Sequence, residues 1–170
     1  MLFVGCEIES SELVARDLDA LAEQAVHGVD GIREALEAPE ALSRTLGAGV
    51  EEVSKATRGM SRIATSPEIG SEQRLSASVQ EARAWDDVTR LLEGAELRDP
   101  TSPELEQLYH ELLREKAFPA RIAARNAYDR ALRMACRLAS AEHPVALEAL
   151  DGIERYGGEV PVSEQPCSVP

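Results

Sequence analysis

Aromatic residues, cysteines and long apolar runs are all scarce in this sequence, and each scarcity narrows the class of protein. Aromatic side chains make up 4% of the 170 residues, and the cysteines are Cys6, Cys136 and Cys167. Three cysteines so far apart do not suggest a disulfide framework or a metal cluster, so a reducing, cytoplasmic location is the simplest interpretation. No run approaches the roughly 18 apolar residues of a membrane span, so we do not expect an integral membrane protein.

The abundant residues are alanine, glutamate, leucine and arginine, which favour helices over sheet. Valine, isoleucine and threonine are too scattered to form the runs that strands need. Hydrophobic residues make up 44% of the chain, which is enough to build a core. The composition therefore predicts an all-α protein.

The charge is strongly acidic. The chain has 31 acidic and 18 basic residues, which gives a net charge of −13. Such a molecule is repelled on average by nucleic acid and by anionic membranes, and it is attracted to basic partners. The same charge also serves simply to keep a helical protein soluble. We therefore expect no nucleic-acid partner, and a basic protein partner remains open.

An apolar seam with alternating spacings of four and three residues organises residues 14–63. This heptad pattern predicts a helix face that packs against another helix, with small residues allowing close approach. Pro39 either kinks one long helix or begins the second helix of a hairpin, and the unbroken register favours the kinked helix. The seam consists of Val14, Leu18, Leu21, Ala25, Gly28, Ile32, Ala35, Pro39, Leu42, Leu46, Gly49, Val53, Ala56, Met60 and Ile63.

Glycines and prolines mark the ends of the later helices. We expect a third helix over 71–93 that Gly94 ends, and a last helix that Pro144 begins and Gly157 ends. Between them, Pro119 is expected to separate a helix over 103–117 from another over 119–140. The first of these two is expected to face inward with Leu105, Leu108, Tyr109 and Leu112.

The complete fold prediction is a long N-terminal amphipathic helix, or a helical hairpin, packed with a C-terminal three-helix unit. Gly94, Asp99 and Pro100 mark the best candidate boundary. The predicted units are residues 1–94, with the heptad helices and the third helix, and residues 95–157, with the three-helix bundle. Residues 158–170 have no periodicity and are predicted to be a disordered tail.

Carboxylate pairs at Glu-x-x-Glu spacing are the main candidates for chemistry, because a helix places both on one face, where they can bind a hard metal ion. Several such pairs are expected by chance among 31 acidic residues, so we assign no metal, cofactor or catalytic residue. No nucleophile elbow, phosphate loop or dinucleotide fingerprint occurs, and Cys136 is interpreted as a small core residue. The pairs are Glu9/Glu12, Glu34/Glu37, Glu37/Glu40, Glu93/Glu96 and Glu148/Asp151.

The start of the chain, from Leu2 to Cys6, reads Leu-Phe-Val-Gly-Cys. It resembles the lipobox of bacterial lipoproteins, in which a short apolar run precedes an acylated cysteine. The resemblance implies a lipid on Cys6 and, through it, attachment to a membrane. The basic region and most of the apolar region of a signal peptide are missing before it, which favours a short apolar N-terminus packed on the helices.

These observations favour a non-catalytic helical interaction protein, such as an adaptor or an assembly subunit, that binds a protein partner or another copy of itself. One alternative is an acidic inhibitor, such as an immunity protein or antitoxin, that covers a basic partner. A second is a metal-dependent phosphohydrolase that uses the glutamate pairs. The expected partner-binding residues are an arginine face and seam positions: Arg130, Arg133, Arg137, Leu18, Leu21, Ile32, Leu46 and Val53.

Overall fold

The computed structural model describes residues 4–37, 42–96, 102–138 and 144–157, and it describes side chains from residue 12 and, in the second range, from residue 45. In these ranges the regular structure is entirely α-helical, which confirms the all-α prediction. The five helices are α1 (Val4–Glu37), α2 (Leu42–Thr65), α3 (Ser71–Glu93), α4 (Pro103–Leu138) and α5 (Pro144–Arg155).

Helices α1 and α2 pack against each other as an antiparallel hairpin. A methyl group added at Gly28 would lie 2.9 Å from both the Gly49 carbonyl oxygen and the Val53 backbone nitrogen, while Leu21 reaches Gly59 further along. The kinked single helix is therefore wrong, although Pro39 itself lies outside the described residues. A hairpin buries the apolar face of each helix against the other, whereas a straight rod would leave both exposed to water.

Helix α3 lies at the centre, because it contacts each of the other four described helices. It begins at Ser71 and ends at Glu93, with Gly94 as its C-cap, as the sequence predicted. Helix α4 runs back along α3, and α5 packs on the second half of α4. At that contact Gly152 lets the ring of Tyr128 approach the α5 backbone more closely than any side chain would allow.

Pro119 does not end a helix, so the predicted break and the predicted three-helix unit are both wrong. It lies inside α4, which continues without interruption from Pro103 to Leu138. An internal proline removes one backbone hydrogen bond and costs about 3 kcal/mol. Ala117 and Ala120 on either side of it are buried, while Pro119 is exposed. Packing on both sides therefore holds the helix together across the proline.

The buried side chains form two clusters that share α3 and α4. One joins α1, α2 and four residues of α3, from Ala77 to Leu92, to Leu113, Ala117 and Ala120 of α4. The other joins the first half of α3 to the second half of α4 and to α5. The first cluster thus spans the boundary proposed near residue 94. The division into two domains stays a prediction, and the tail at 158–170 and the lipobox-like start lie outside the described side chains.

Candidate functional site

The seam residues expected to bind a partner lie inside the hairpin. Leu18, Ile32 and Val53 are buried in the first cluster, where this chain's own helices cover them. Leu21 and Leu46 are partly buried and pack against the same cluster. Binding a partner through any of the three buried side chains would require the helices to separate.

The three arginines of the expected docking face have different environments. Arg130 is turned inward, where its Nε donates a 3.1 Å hydrogen bond to Ser78 Oγ and its guanidinium pairs with Glu81. Arg133 pairs with Asp129 one turn earlier on α4. Arg137 is exposed and makes no ion pair within the described part of the chain. The three do not form a continuous free basic surface.

Asp86 is the centre of a buried polar network that joins α3 to α5. Its carboxylate is 1% exposed and accepts two hydrogen bonds of 2.9 Å from Arg155 Nη1. Arg90 and the hydroxyl of Tyr156 also donate to it. Above this network, the Arg121 guanidinium lies 5.9 Å from the centre of the Tyr156 ring. These contacts hold the end of α5 on α3.

The protonation states in this network follow from burial and hydrogen bonding. Burial disfavours the charged form of Asp86, but donors from Tyr156, Arg90 and Arg155 outweigh it and lower the pKa of Asp86 below its ordinary value. Burial and the neighbouring Asp86 carboxylate together raise the pKa of the Tyr156 hydroxyl. Tyr156 is therefore a hydrogen-bond donor at neutral pH and not a base. The arrangement is suited to holding α5, and it offers no activated nucleophile.

A second polar contact joins α3 to α4 through Glu81. Burial raises the pKa of Glu81 above the ordinary value of 4.5, although the attraction of Arg130 opposes that shift. The charged form of Glu81 is therefore less favourable in the folded protein than in the unfolded chain. Nearby, Arg83 and Glu148 form an ion pair between α3 and α5, with donor–acceptor distances of 2.6 and 2.7 Å.

The raised pKa of Glu81 predicts a pH-dependent effect on stability. Because the folded state binds the Glu81 proton more tightly than the unfolded state, stability should rise as the pH falls from neutrality through the folded pKa towards 4.5. The lowered pKa of Asp86 acts in the opposite direction. Its contribution to stability is present above the ordinary pKa of 3.8 and is lost as the pH falls from there through the folded pKa. Urea unfolding of wild type and Glu81→Gln across this range should show wild type gaining relative stability on acidification. A pH-independent difference between the two would contradict the assignment.

Two of the carboxylate pairs proposed for metal chemistry, Glu93/Glu96 and Glu148/Asp151, have members that pair with arginines instead. Glu93 Oε1 lies 3.5 Å from Arg121 Nε, and Glu148 forms an ion pair with Arg83. Within the described residues there is no group of three or more histidine, cysteine or acidic side chains placed to hold a metal ion. Glu9 and Glu40 lie outside the described side chains. The phosphohydrolase hypothesis thus gains no support from the geometry.

Cys136 is partly buried and packs against the second cluster, in line with its interpretation as a small core residue, and it is disulfide-bonded. The partner cysteine lies outside the described side chains. Disulfides persist mainly in oxidising compartments, and the cytoplasmic location stays a prediction. Among the described helices, none combines the length and apolar character that a membrane crossing needs.

A row of large apolar side chains lies on the outer surface of α4. Leu108 is 62% exposed, and Leu105, Leu112 and Ile122 are between 43% and 45% exposed. Together with exposed Glu115 and Pro119, these residues follow heptad spacing, and exposed Phe118 lies beside them. We call this set the α4 stripe: Leu105, Leu108, Leu112, Glu115, Phe118, Pro119 and Ile122.

The prediction that Leu105, Leu108 and Leu112 face inward is therefore wrong. With a break at Pro119, the first turns of α4 would form a separate helix, and its buried face would not depend on the turns after the proline. In one continuous helix, the buried alanines after the proline fix which face of the earlier turns is covered. Extending that phase backwards at 100° per residue selects Leu113 and Ala117. The three leucines fall roughly 90° to 150° around the helix from the centre of that buried face, so they stay outside it.

A groove between α1 and α3 is a further surface feature. Its volume is about 310 Å³, and Ala25, Val29, Met60 and Ala84 are among its apolar lining residues. Gln80 also lines it, and the Gln80 Oε1 atom is buried without a hydrogen-bond partner among the described residues. Charges of both signs line the groove, so it shows no preference for an anion or a cation.

Comparisons with protein-family models, with curated proteins and with solved structures found no match to this chain. Within the described part of the chain, the α4 stripe holds five of the nine exposed large apolar side chains.

Proposed function

We propose that this chain is a non-catalytic interaction protein that binds a helical protein surface along the α4 stripe. The observation that carries the proposal is the exposure of five large apolar side chains on one side of one helix. Single exposed apolar residues are ordinary on a protein surface, but a contiguous group is typical of an interaction site.

The geometry of the α4 stripe favours a helix as the partner surface. Its positions repeat every three and four residues, which is the spacing that packs against the side chains of another helix. The opposite face of α4 is fully used inside the molecule, where Leu113, Ala117 and Ala120 are buried. Helix α4 thus has one face committed to the fold and a second face available for binding.

The polar networks of α3 support the same proposal from another direction. Asp86 and Glu81 are paired with arginines of the same chain, and they bind one helix to the next. Buried ion pairs of this kind fix the arrangement of neighbouring helices, and here they hold the scaffold on which α4 is presented. Their saturated contacts favour a structural role over catalysis.

The test is to replace Leu108 with glutamate and to compare partner retention by tagged protein in extracts of the native organism. We expect Leu108→Glu to lose proteins that wild type retains, because a charge in the stripe cannot be buried without a partner. Leu147→Glu is the matched control, since Leu147 is 55% exposed on α5 and outside the stripe.

Equal retention by Leu108→Glu and Leu147→Glu would exclude the α4 stripe as the binding surface. Loss of binding on addition of salt, in wild type and both variants alike, would favour the acidic inhibitor instead, because exposed charges are screened by salt and apolar contacts are not. Circular dichroism of each variant checks that the helices are intact.

A further inference from the structure

From the same stripe we infer that its occupant is a second copy of this chain, with the two α4 helices packed antiparallel. This inference rests on the proposed function, because it names the partner of the same surface. It follows from the order of apolar and charged residues along the described part of α4.

The α4 stripe matches itself when one helix is reversed. With a twofold axis between residues 113 and 114, Leu105 of one copy meets Ile122 of the other, and Leu108 meets Pro119 with Phe118 beside it. Leu112 meets Glu115 next to the axis. In a parallel pair, Glu115 would lie directly opposite its own copy in one layer, whereas the antiparallel pair places the two Glu115 side chains in successive layers.

Charges beside the stripe also match in the reversed arrangement. Glu104 and Arg125 lie on the same side of the stripe, about 60° apart around the helix, and the antiparallel register brings Glu104 of one copy to Arg125 of the other. Within one chain these residues are about 30 Å apart along α4, which is too far for any contact. Neither makes an ion pair inside the described ranges.

Charge balance favours a second copy over a basic partner at this surface. Residues 103–122 contain four acidic and three basic side chains, whereas the whole chain has a net charge of −13. Two strongly acidic molecules can therefore approach through this segment with little repulsion. Five exposed apolar side chains form a patch of roughly a few hundred Å² on each copy. Two such patches give an interface below about 1,200 Å², which is the size of a weak complex.

The experiment measures the molar mass of the purified chain by light scattering and sedimentation, from about 10 to about 300 µM, a range suited to micromolar affinity. We expect a reversible increase to the mass of two chains in wild type and Leu147→Glu, and a monomer in Leu108→Glu. Glu115→Leu completes the apolar row and should tighten the dimer by about tenfold or more, an effect that loss of folding does not produce.

A charge exchange tests the antiparallel register. Glu104→Arg and Arg125→Glu should each weaken the dimer, and the double variant should recover it, because only two chains in reversed order bring these positions together. A wild type that stays monomeric at all concentrations overturns the inference, and so does a dimer without recovery in the double variant. If wild type stays monomeric but retains a different helical protein from extracts, and Leu108→Glu does not retain it, the proposed function survives and the second copy is excluded.

Discussion

Replacing Asp86 with alanine is expected to lower the free energy of unfolding by about 3 kcal/mol, a large part of the net stability of an ordinary domain. The carboxylate is 1% exposed, and Arg155, Arg90 and Tyr156 all donate to it. Removing it leaves the Tyr156 hydroxyl without its acceptor and a small cavity between α3 and α5. The two arginine side chains remain 38% and 62% exposed, so water satisfies part of what they lose.

The loss should be concentrated in α5, because Asp86 is its main polar attachment to α3. Hydrogen exchange should show α5 amides losing protection before those of α1 and α2, whose packing does not involve Asp86. Asp87→Ala is the matched control, since Asp87 is the next residue on α3 and is exposed. Its stability should change by no more than about 0.5 kcal/mol. An equal loss in both variants would show that Asp86 does not hold α5 in place.

Replacing Gly28 with alanine is expected to destabilise the protein by about 2 kcal/mol, although alanine is the better helix former. The added methyl group would lie 2.8 Å from Val53 Cγ2 and 2.9 Å from the Gly49 oxygen and the Val53 nitrogen. Two of these three atoms belong to the α2 backbone and cannot move without shifting the whole helix. The hairpin must therefore open by a few tenths of an ångström or more.

Gly47→Ala provides the control for this prediction. A methyl group at Gly47, also in a helix, meets no atom within 4 Å, so this variant should gain up to about 1 kcal/mol from helix propensity. Thermal or urea unfolding of the two variants should give shifts of opposite sign. If Gly28→Ala also gained stability, the close approach of α1 and α2 at that position would be refuted.

Sequence patterns located most helix ends correctly, because those ends depend on local chemistry. Gly94 ends α3, and Pro144 begins α5. Gly157 follows α5 with a φ of 67°, a left-handed conformation that glycine adopts without strain. Each of these signals involves residues within one turn of the helix end, so no knowledge of distant parts of the chain is needed. The all-α class followed in the same way from composition.

The helical hairpin and the Asp86 network were not predicted, because both depend on contacts between residues that are distant in the sequence. The heptad phase through Pro39 favoured one rod, yet only the packing of Gly28 on Gly49 reveals the hairpin. The charge of Asp86 gave no sign of burial, since its partners Arg155 and Tyr156 follow about 70 residues later. The partner-binding function itself stays a proposal.

By itself, the amino-acid order determined that this protein is helical and where most of its helices begin and end, since propensities and caps act within a few residues. Only the tertiary structure decided which faces are buried. In α4, the alanines packed on α3 and α5 set the rotation of the whole helix and carried it through Pro119. That rotation turned Leu105, Leu108 and Leu112 to the surface, because one rigid helix cannot bury two opposite faces against the same neighbours.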